Sequence, residues 1–324
     1  MSARPTIALD AMGGDNAPSA IVAGGEEAAS ELGVDVILVG RRDEIGETTL
    51  PVVEASEVID MADDPARSVR GMKDSSLVRG AELVRDGAAA GFVSAGNTGA
   101  MVAASLLRMG RIKGIARPAV ATTIPVPGTT PTVLLDSGAI ADCQPQWLVQ
   151  FAQMGSAFAS RRFGYESPRV GLLSIGEEES KGNELVKEAH PLLAELDGIN
   201  FIGNVEGRDI MSDAVDVVVT DGFTGNVVLK TLEGALRSLV GAVFGALADP
   251  DAGEGAASAL GLLAPLANEL DPDTSGGAML LGVDGVSIIG HGSSNAVAIV
   301  NAIAVARDMA EAELVSAMRS AIGR

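Results

Sequence analysis

Gly91-Phe92-Val93-Ser94-Ala95-Gly96-Asn97-Thr98-Gly99-Ala100-Met101 decides how this chain is read. An apolar run of strand length breaks into a turn of small and polar residues. A helical spacing of Met101, Val102, Ser105, Leu106 and Met109 follows directly. The same passage recurs. Thr6-Ile7-Ala8-Leu9 leads into Asp10-Ala11-Met12-Gly13-Gly14-Asp15-Asn16, and residues 169–174 lead into 176–183. Residues 215–220 lead into Asp221-Gly222-Phe223-Thr224-Gly225-Asn226, and 286–289 into Gly290-His291-Gly292-Ser293-Ser294-Asn295. Strands alternating with helices at this spacing imply right-handed crossovers. The fold class is therefore α/β, a mostly parallel sheet covered by helices on both faces. In such a sheet the turns all lie at the carboxyl ends of the strands, where helix N-termini present free N–H groups suited to an anion such as phosphate.

Working outward, Asp15 is expected to cap a first helix containing Pro18, with a strand at 34–39 after it. Further helices are expected at 74–86, from 98, at 145–163, at 182–196, from 226, and as one long terminal helix over 296–321. Strands at 119–124 and 132–135 flank Pro125-Val126-Pro127-Gly128 and read as a hairpin or an excursion from the parallel order. The chain reads as one large unit over 1–324. Within it, the Ala-, Leu- and Gly-rich segment 238–275, divided by Pro250, Pro265 and Pro272, reads as a helical insertion facing a partner subunit, a membrane surface or the body of the protein. Packing is favoured, because an interfacial helix usually carries a basic face and no Lys or Arg occurs between Arg237 and Arg307.

A 47% hydrophobic share with 20% charged residues over 324 positions supports a large core. The single cysteine, Cys143, excludes an intrachain disulfide framework and makes a reducing compartment the expectation. The first five residues run straight into a strand, so no targeting signal is read, and no apolar run reaches membrane-spanning length. The expected location is cytoplasmic, with peripheral contact at the inner face of the cell membrane as the alternative. A net charge of −20 argues against nucleic acid as a partner. Residues 87–135 nonetheless contain no Asp or Glu, and Arg108, Arg111, Lys113 and Arg117 lie close together there. They either solvate a helix end or dock an acidic partner.

The residues able to carry chemistry sit in the turns. Asn97, Thr98 and Gly99, with Thr224, Asn226, Ser293 and Ser294, are candidates for holding a phosphate or acyl group; the alternative for each is a helix cap. Lys181, after Glu177-Glu178-Glu179-Ser180, is a cation suited to phosphate or to charge developing in a transition state, or else an ion-pair partner of Glu177 or Glu184. His291, between two glycines, is placed for proton transfer, whereas His190 before Pro191 reads as structural and Cys143 as inert. Neither a Walker sequence nor a dinucleotide fingerprint is present, and His/Cys metal spacing is absent. Asp10, Asp136 and Asp221 at strand ends suit either Mg²⁺ or loop ordering.

Taken together, Ile7 to Pro18, Val93 to Ala100, Gly110 to Pro118, Gly176 to Glu184, Phe201-Ile202-Gly203-Asn204-Val205-Glu206-Gly207-Arg208-Asp209, Thr220 to Leu232 and His291-Gly292-Ser293-Ser294 resemble the bacterial phosphate acyltransferases. That resemblance covers nearly the whole chain. It implies an isocitrate/isopropylmalate dehydrogenase-like fold related to the phosphotransacetylases, usually homodimeric. It implies transfer of a long-chain fatty acyl group from acyl-[acyl-carrier protein] to inorganic phosphate. The acyl-phosphate formed would serve glycerol-3-phosphate acylation in phospholipid synthesis by a downstream membrane glycerol-3-phosphate acyltransferase. No cofactor and no metal is called for. In that light Asn97, Thr98, Ser293 and Ser294 would cradle phosphate, Lys181 and Asn183 neutralise charge at the acyl carbonyl, and His291 protonate the departing thiolate. The four basic residues would dock the acidic carrier protein. Ile140, Asn295 and the lack of basic residues in 238–275 depart from the family pattern. Competing readings are a phosphotransacetylase using acyl-coenzyme A, a dicarboxylate dehydrogenase, and a non-catalytic membrane-surface scaffold.

Overall fold

A computed structural model describes residues 4–323 except 250, 252, 254, 272, 273 and 275. In chain order the elements are β1 (Thr6–Asp10), α1 (Ser19–Glu31), β2 (Asp35–Gly40), α2 (Arg42–Ile45), β3 (Val52–Glu54), α3 (Pro65–Gly71), α4 (Ser76–Arg85), β4 (Gly91–Ser94) and α5 (Thr98–Arg108). Then come β5 (Ala119–Ile124), β6 (Thr132–Leu135), α6 (Pro145–Phe163), β7 (Arg169–Leu173), α7 (Glu184–Ala194), β8 (Asn200–Val205), β9 (Val217–Val219) and α8 (Gly222–Leu247). The last are α9 (Ala256–Glu269), β10 (Ala278–Leu281), β11 (Val286–Ile289), α10 (Ala296–Glu311) and α11 (Leu314–Ile322).

One sheet takes the order β3-β2-β1-β4-β11-β10-β5-β6-β9-β7-β8. Its strands read as near-continuous apolar runs because both faces are covered: Val217, Val218 and Val219 of β9 are all fully buried. The sheet is mostly parallel, as expected, but β10 runs antiparallel to β11 and to β5, and β5 antiparallel to β6. The two parallel halves consequently point in opposite directions. β4 and β11 end at one edge of the sheet, β6, β9 and β7 at the other, so the turns do not gather along a single carboxyl edge.

Helix ends follow their local chemistry. α6 begins at Pro145, whose missing N–H costs nothing in a first turn, and stops at Gly164, which takes φ 77°. α5, α7 and α8 are capped by the side chains of Asn97, Asn183 and Asp221, which accept from Ala100, Val186 and Thr224 N–H. Three expectations are corrected. Asp15 does not cap α1; Pro18 occupies the N-cap without a side-chain bond, and the Asp15 N–H donates to Gly292 O at 2.7 Å. Thr224-Gly225-Asn226 is not a turn but the first turn of α8, which starts four residues before Asn226. The terminal helix breaks between α10 and α11, where Glu313 takes φ 53°. Segment 238–275 is largely helical, but it begins inside α8, and Pro265 sits within α9 instead of dividing it. Pro250, Pro272 and Ser275 lie outside the described residues.

One ion pair ties the far half of the sheet. The Arg169 guanidinium, at the start of β7, donates to both carboxylate oxygens of Asp216 at 3.0 and 2.8 Å, and its backbone N–H donates at 2.7 Å. Burial pushes the Asp216 carboxyl up, but the Arg169 hydrogen bonds and charge outweigh it and hold the group below the ordinary carboxylate range. A depressed folded-state pKa contributes stability above the unfolded value of about 3.9, and that contribution is lost as pH falls through the folded value. Asp216→Asn is therefore expected to cost about 1 kcal/mol at pH 7 after solvent screening of the half-exposed arginine. It should also shrink the fall in melting temperature between pH 7 and pH 3, read by calorimetry.

Candidate functional site

The Asp10-to-Asn16 loop supports the site from behind. Asp10 is buried, and burial pushes its carboxyl up against the opposing pull of hydrogen bonds from Ser94 and from backbone N–H groups including Met12. Gly13 crosses the Gly96 backbone so closely that a Cβ would lie 2.6 Å from Gly96 N, so only glycine fits there. The Asn16 amide donates to the carbonyls of Ser293 and Ser294, fastening the His291 loop to the first turn.

Between the halves of the sheet, over β5, lies a cleft of about 920 Å³, its open mouth included. α8 joins the two edges. Its Asn226 stands against Gly138, after β6, and one turn later Lys230 Nζ reaches 3.5 Å from His291 Nε2, after β11. The cleft's polar lining is Thr98, Thr122, Thr123, Ser137, Asn226, Lys230, Glu233 and His291. Its apolar lining includes Leu229, Leu232 and Leu236 along α8, with Ile124, Leu270 and Ile289.

The residues expected from sequence divide by position. Thr98, Asn226 and His291 line this cleft. Ser293 adjoins it, its hydroxyl 2.8 Å from His291 Nδ1, and Ser294 is buried beneath the loop with its N–H bonded to His291 O. The Asn97 side chain is used in full: it caps α5 and donates to the carbonyls of Asp60, Met61 and Asp63, thereby positioning Thr98. Gly99 lets α5 pack on Pro65, and the Thr224 hydroxyl donates to Asp221. Lys181 is exposed on the β7–α7 loop and Asn183 caps α7; neither lines the cleft.

Asp136 and Asp221 hold backbone instead of pointing into the cleft. The Asp136 carboxylate accepts from the N–H groups of Val120, Gly138, Ala139 and Ile140 at 2.7–3.1 Å. Among the described residues no cluster of His, Cys, Asp and Glu is arranged to hold a metal ion. Burial, reinforced by the nearby Asp136 charge, pushes the Cys143 thiol up to about 12, which leaves it a poor nucleophile. His190 packs edge-on against Phe201, a structural role.

Lys230 and Glu233 were not singled out by sequence, yet both line the cleft. The signal was present. Asn226, Lys230 and Glu233 fall at i, i+4 and i+7, one face of a helix, which becomes readable once α8 is started at its Asp221 cap.

Of the basic residues between α5 and β5, Arg111, Lys113 and Arg117 are exposed, and Arg108 is half-buried beside Glu82 at 3.8 Å. Arg117 lies over the Trp147 ring at 4.5 Å, and Arg111 and Arg117 both donate to the Ala116 carbonyl. Gln150 of α6 bonds Gly114 O and Ala116 N, so the loop is firmly held.

Comparison with known proteins gives one consistent answer. Residues 5–317 match the family model described as "Fatty acid synthesis protein". The chain is 48% identical to a phosphate acyltransferase of Elusimicrobium minutum, over 98% of this chain and 95% of that protein. It is 49% identical to a phosphate acyltransferase of Pelotomaculum thermopropionicum, over 98% and 94%. Among solved structures it is similar to a phosphotransacetylase from Streptococcus pyogenes, with TM-score 0.64 and 17% identity over 96% of this chain and 95% of that one. It is also similar to the EutD phosphotransacetylase from Staphylococcus aureus, with TM-score 0.61 and 16% identity over 95% and 94%. At these identities the structural likeness speaks for the fold.

Proposed function

The chain belongs to the phosphate acyltransferase family, and from that premise we propose that its acyl donor is a long-chain acyl-[acyl-carrier protein] and its product an acyl-phosphate for glycerol-3-phosphate acylation. The observation that carries this reading is a cleft lined both by polar groups and by a row of leucines along α8. The leucines of α8 take the acyl chain, with the thioester carbonyl beside Thr98 and His291. Phosphate is held there, its oxygen in line with the carbonyl carbon.

In the step itself a phosphate oxygen forms the new bond to the carbonyl carbon. The C–S bond then breaks, and the sulfur leaves with its electron pair. Donors fixed around the carbonyl oxygen stabilise the tetrahedral charge. A thiol of ordinary pKa, about 8.5, departs as thiolate without needing an acid, and takes its proton from water.

The exposed Arg111, Lys113 and Arg117 form the docking surface for the acidic carrier protein, on a loop braced by α6. Reversing all three to glutamate is expected to raise KM for the carrier-protein donor about tenfold and leave the phosphate KM within twofold. Equal effects on both constants would make the patch structural. Exposed Leu239, Val243 and Leu262 on α8 and α9 support an apolar contact with a second copy of the chain.

The test of the donor is steady-state phosphate-dependent turnover of one long-chain acyl group presented on carrier protein and on coenzyme A. A strong preference for the carrier protein is expected. Preference for coenzyme A would make the enzyme a phosphotransacetylase.

A further inference from the structure

A phosphate dianion entering a cleft on a chain of net charge −20 needs a fixed positive charge beside it. Among the described residues lining the cleft, Lys230 is the one lysine or arginine. Its ammonium is half exposed and lies 2.8 Å from Glu233 Oε2, on the next turn of the same helix, and 3.5 Å from His291 Nε2.

His291 Nε2 faces the ammonium, and on the other side of the ring Nδ1 accepts from the Ser293 backbone N–H at 3.4 Å. Ser293 Oγ lies 2.8 Å from the same Nδ1, which fixes the serine hydroxyl beside the ring. Lys230 and Ser293 thus stand at the two ends of one short chain of polar groups, with the imidazole between them.

We infer that Lys230 is the phosphate-binding cation of this cleft and that Glu233 competes with phosphate for its ammonium. Phosphate draws the ammonium off the carboxylate and takes a second hydrogen bond from Ser293. Lys230 is then a catalytic residue, touching the nucleophile, and His291 a positioning residue that aims Ser293. The inference rests on reading the cleft as the phosphate site.

The two ends of the ion pair give opposite expectations. In Lys230→Met the KM for inorganic phosphate should rise roughly 30-fold, the loss of one charge-assisted hydrogen bond, with the KM for the acyl donor within twofold. Lys230→Arg should recover most of that loss. Glu233→Gln should lower the phosphate KM about threefold, because the ammonium is released from its competitor. A pair that merely braced α8 would raise the phosphate KM in both variants, or leave it unchanged in both, and either result overturns the inference. If Lys230→Met shows no cooperative melt, the direction of the Glu233→Gln effect decides. Absence of phosphate-dependent turnover in the unaltered protein would overturn the cleft reading and this inference together. Turnover that persists with an unchanged phosphate KM in the folded variant overturns the inference alone.

Discussion

Gly225→Ala is expected to abolish activity while leaving the secondary structure largely in place. A Cβ at this position would fall directly on the Asp136 carbonyl oxygen, and that carbonyl belongs to backbone which cannot swing aside. The helix must therefore lift. α8 carries Asn226 and Lys230 in its second and third turns, so the lift displaces both. A misplacement of about 1 Å in a catalytic arrangement costs on the order of 100-fold in rate, and the overpacking itself about 3 kcal/mol. The check is kcat/KM beside urea unfolding monitored by circular dichroism. Wild-type kcat/KM in a folded Gly225→Ala protein would mean that the approach of α8 to the Asp136 loop does not shape the site.

Asp136→Ala is expected to act on the same contact from the other side, with a larger loss of stability. The carboxylate is buried and satisfies four backbone N–H groups, those of Val120 on β5 and of Gly138, Ala139 and Ile140 in the loop. Each orphaned buried donor costs about 1–3 kcal/mol, and the loop's partial relaxation brings the sum to about 4 kcal/mol. That approaches the whole margin of a domain stable by roughly 5–15 kcal/mol. Asp136→Asn keeps an acceptor oxygen for Val120, Gly138 and Ala139 but turns an NH₂ group toward the Ile140 N–H, so an intermediate loss is expected. Because Gly225 and Asp136 share one contact, their effects should not add. A double variant whose unfolding free energy falls by the full sum would show that the two positions act independently.

Much of the architecture could be read from the chain because its signals were local. α6 was placed from Pro145 to about Phe163, and β11 by a short apolar run closed by Gly290. The expectation of a mostly parallel sheet held, and the β5–β6 hairpin was visible in its proline-rich turn. The reversal of direction between the halves was not readable, since a strand buried on both faces has no periodicity that reports which way it runs. β10 escaped notice because its four apolar residues follow two glycines and have no polar alternation.

The cleft lining was legible where a residue closely follows a strand. Thr98, Asn226 and His291 come together on one cleft. Lys230 was missed for a physical reason: Gly222 and Gly225 weaken the helical signal at the start of α8, so the Asp221 cap was read as part of a loop and the helical face carrying Lys230 and Glu233 was not counted. The glycines that hide the helix are the ones that let it approach the Asp136 backbone.

Phosphate and the acyl chain are expected to meet in the cleft over β5. A crystal structure of the full chain with inorganic phosphate and an unreactive long-chain acyl-pantetheine analogue tests it most directly. The expected result is phosphate within hydrogen-bond reach of Lys230 Nζ and Ser293 Oγ, with the alkyl chain along Leu229, Leu232 and Leu236. Phosphate bound instead at the exposed Lys181 loop, with the α8 wall unoccupied by the chain, would contradict it.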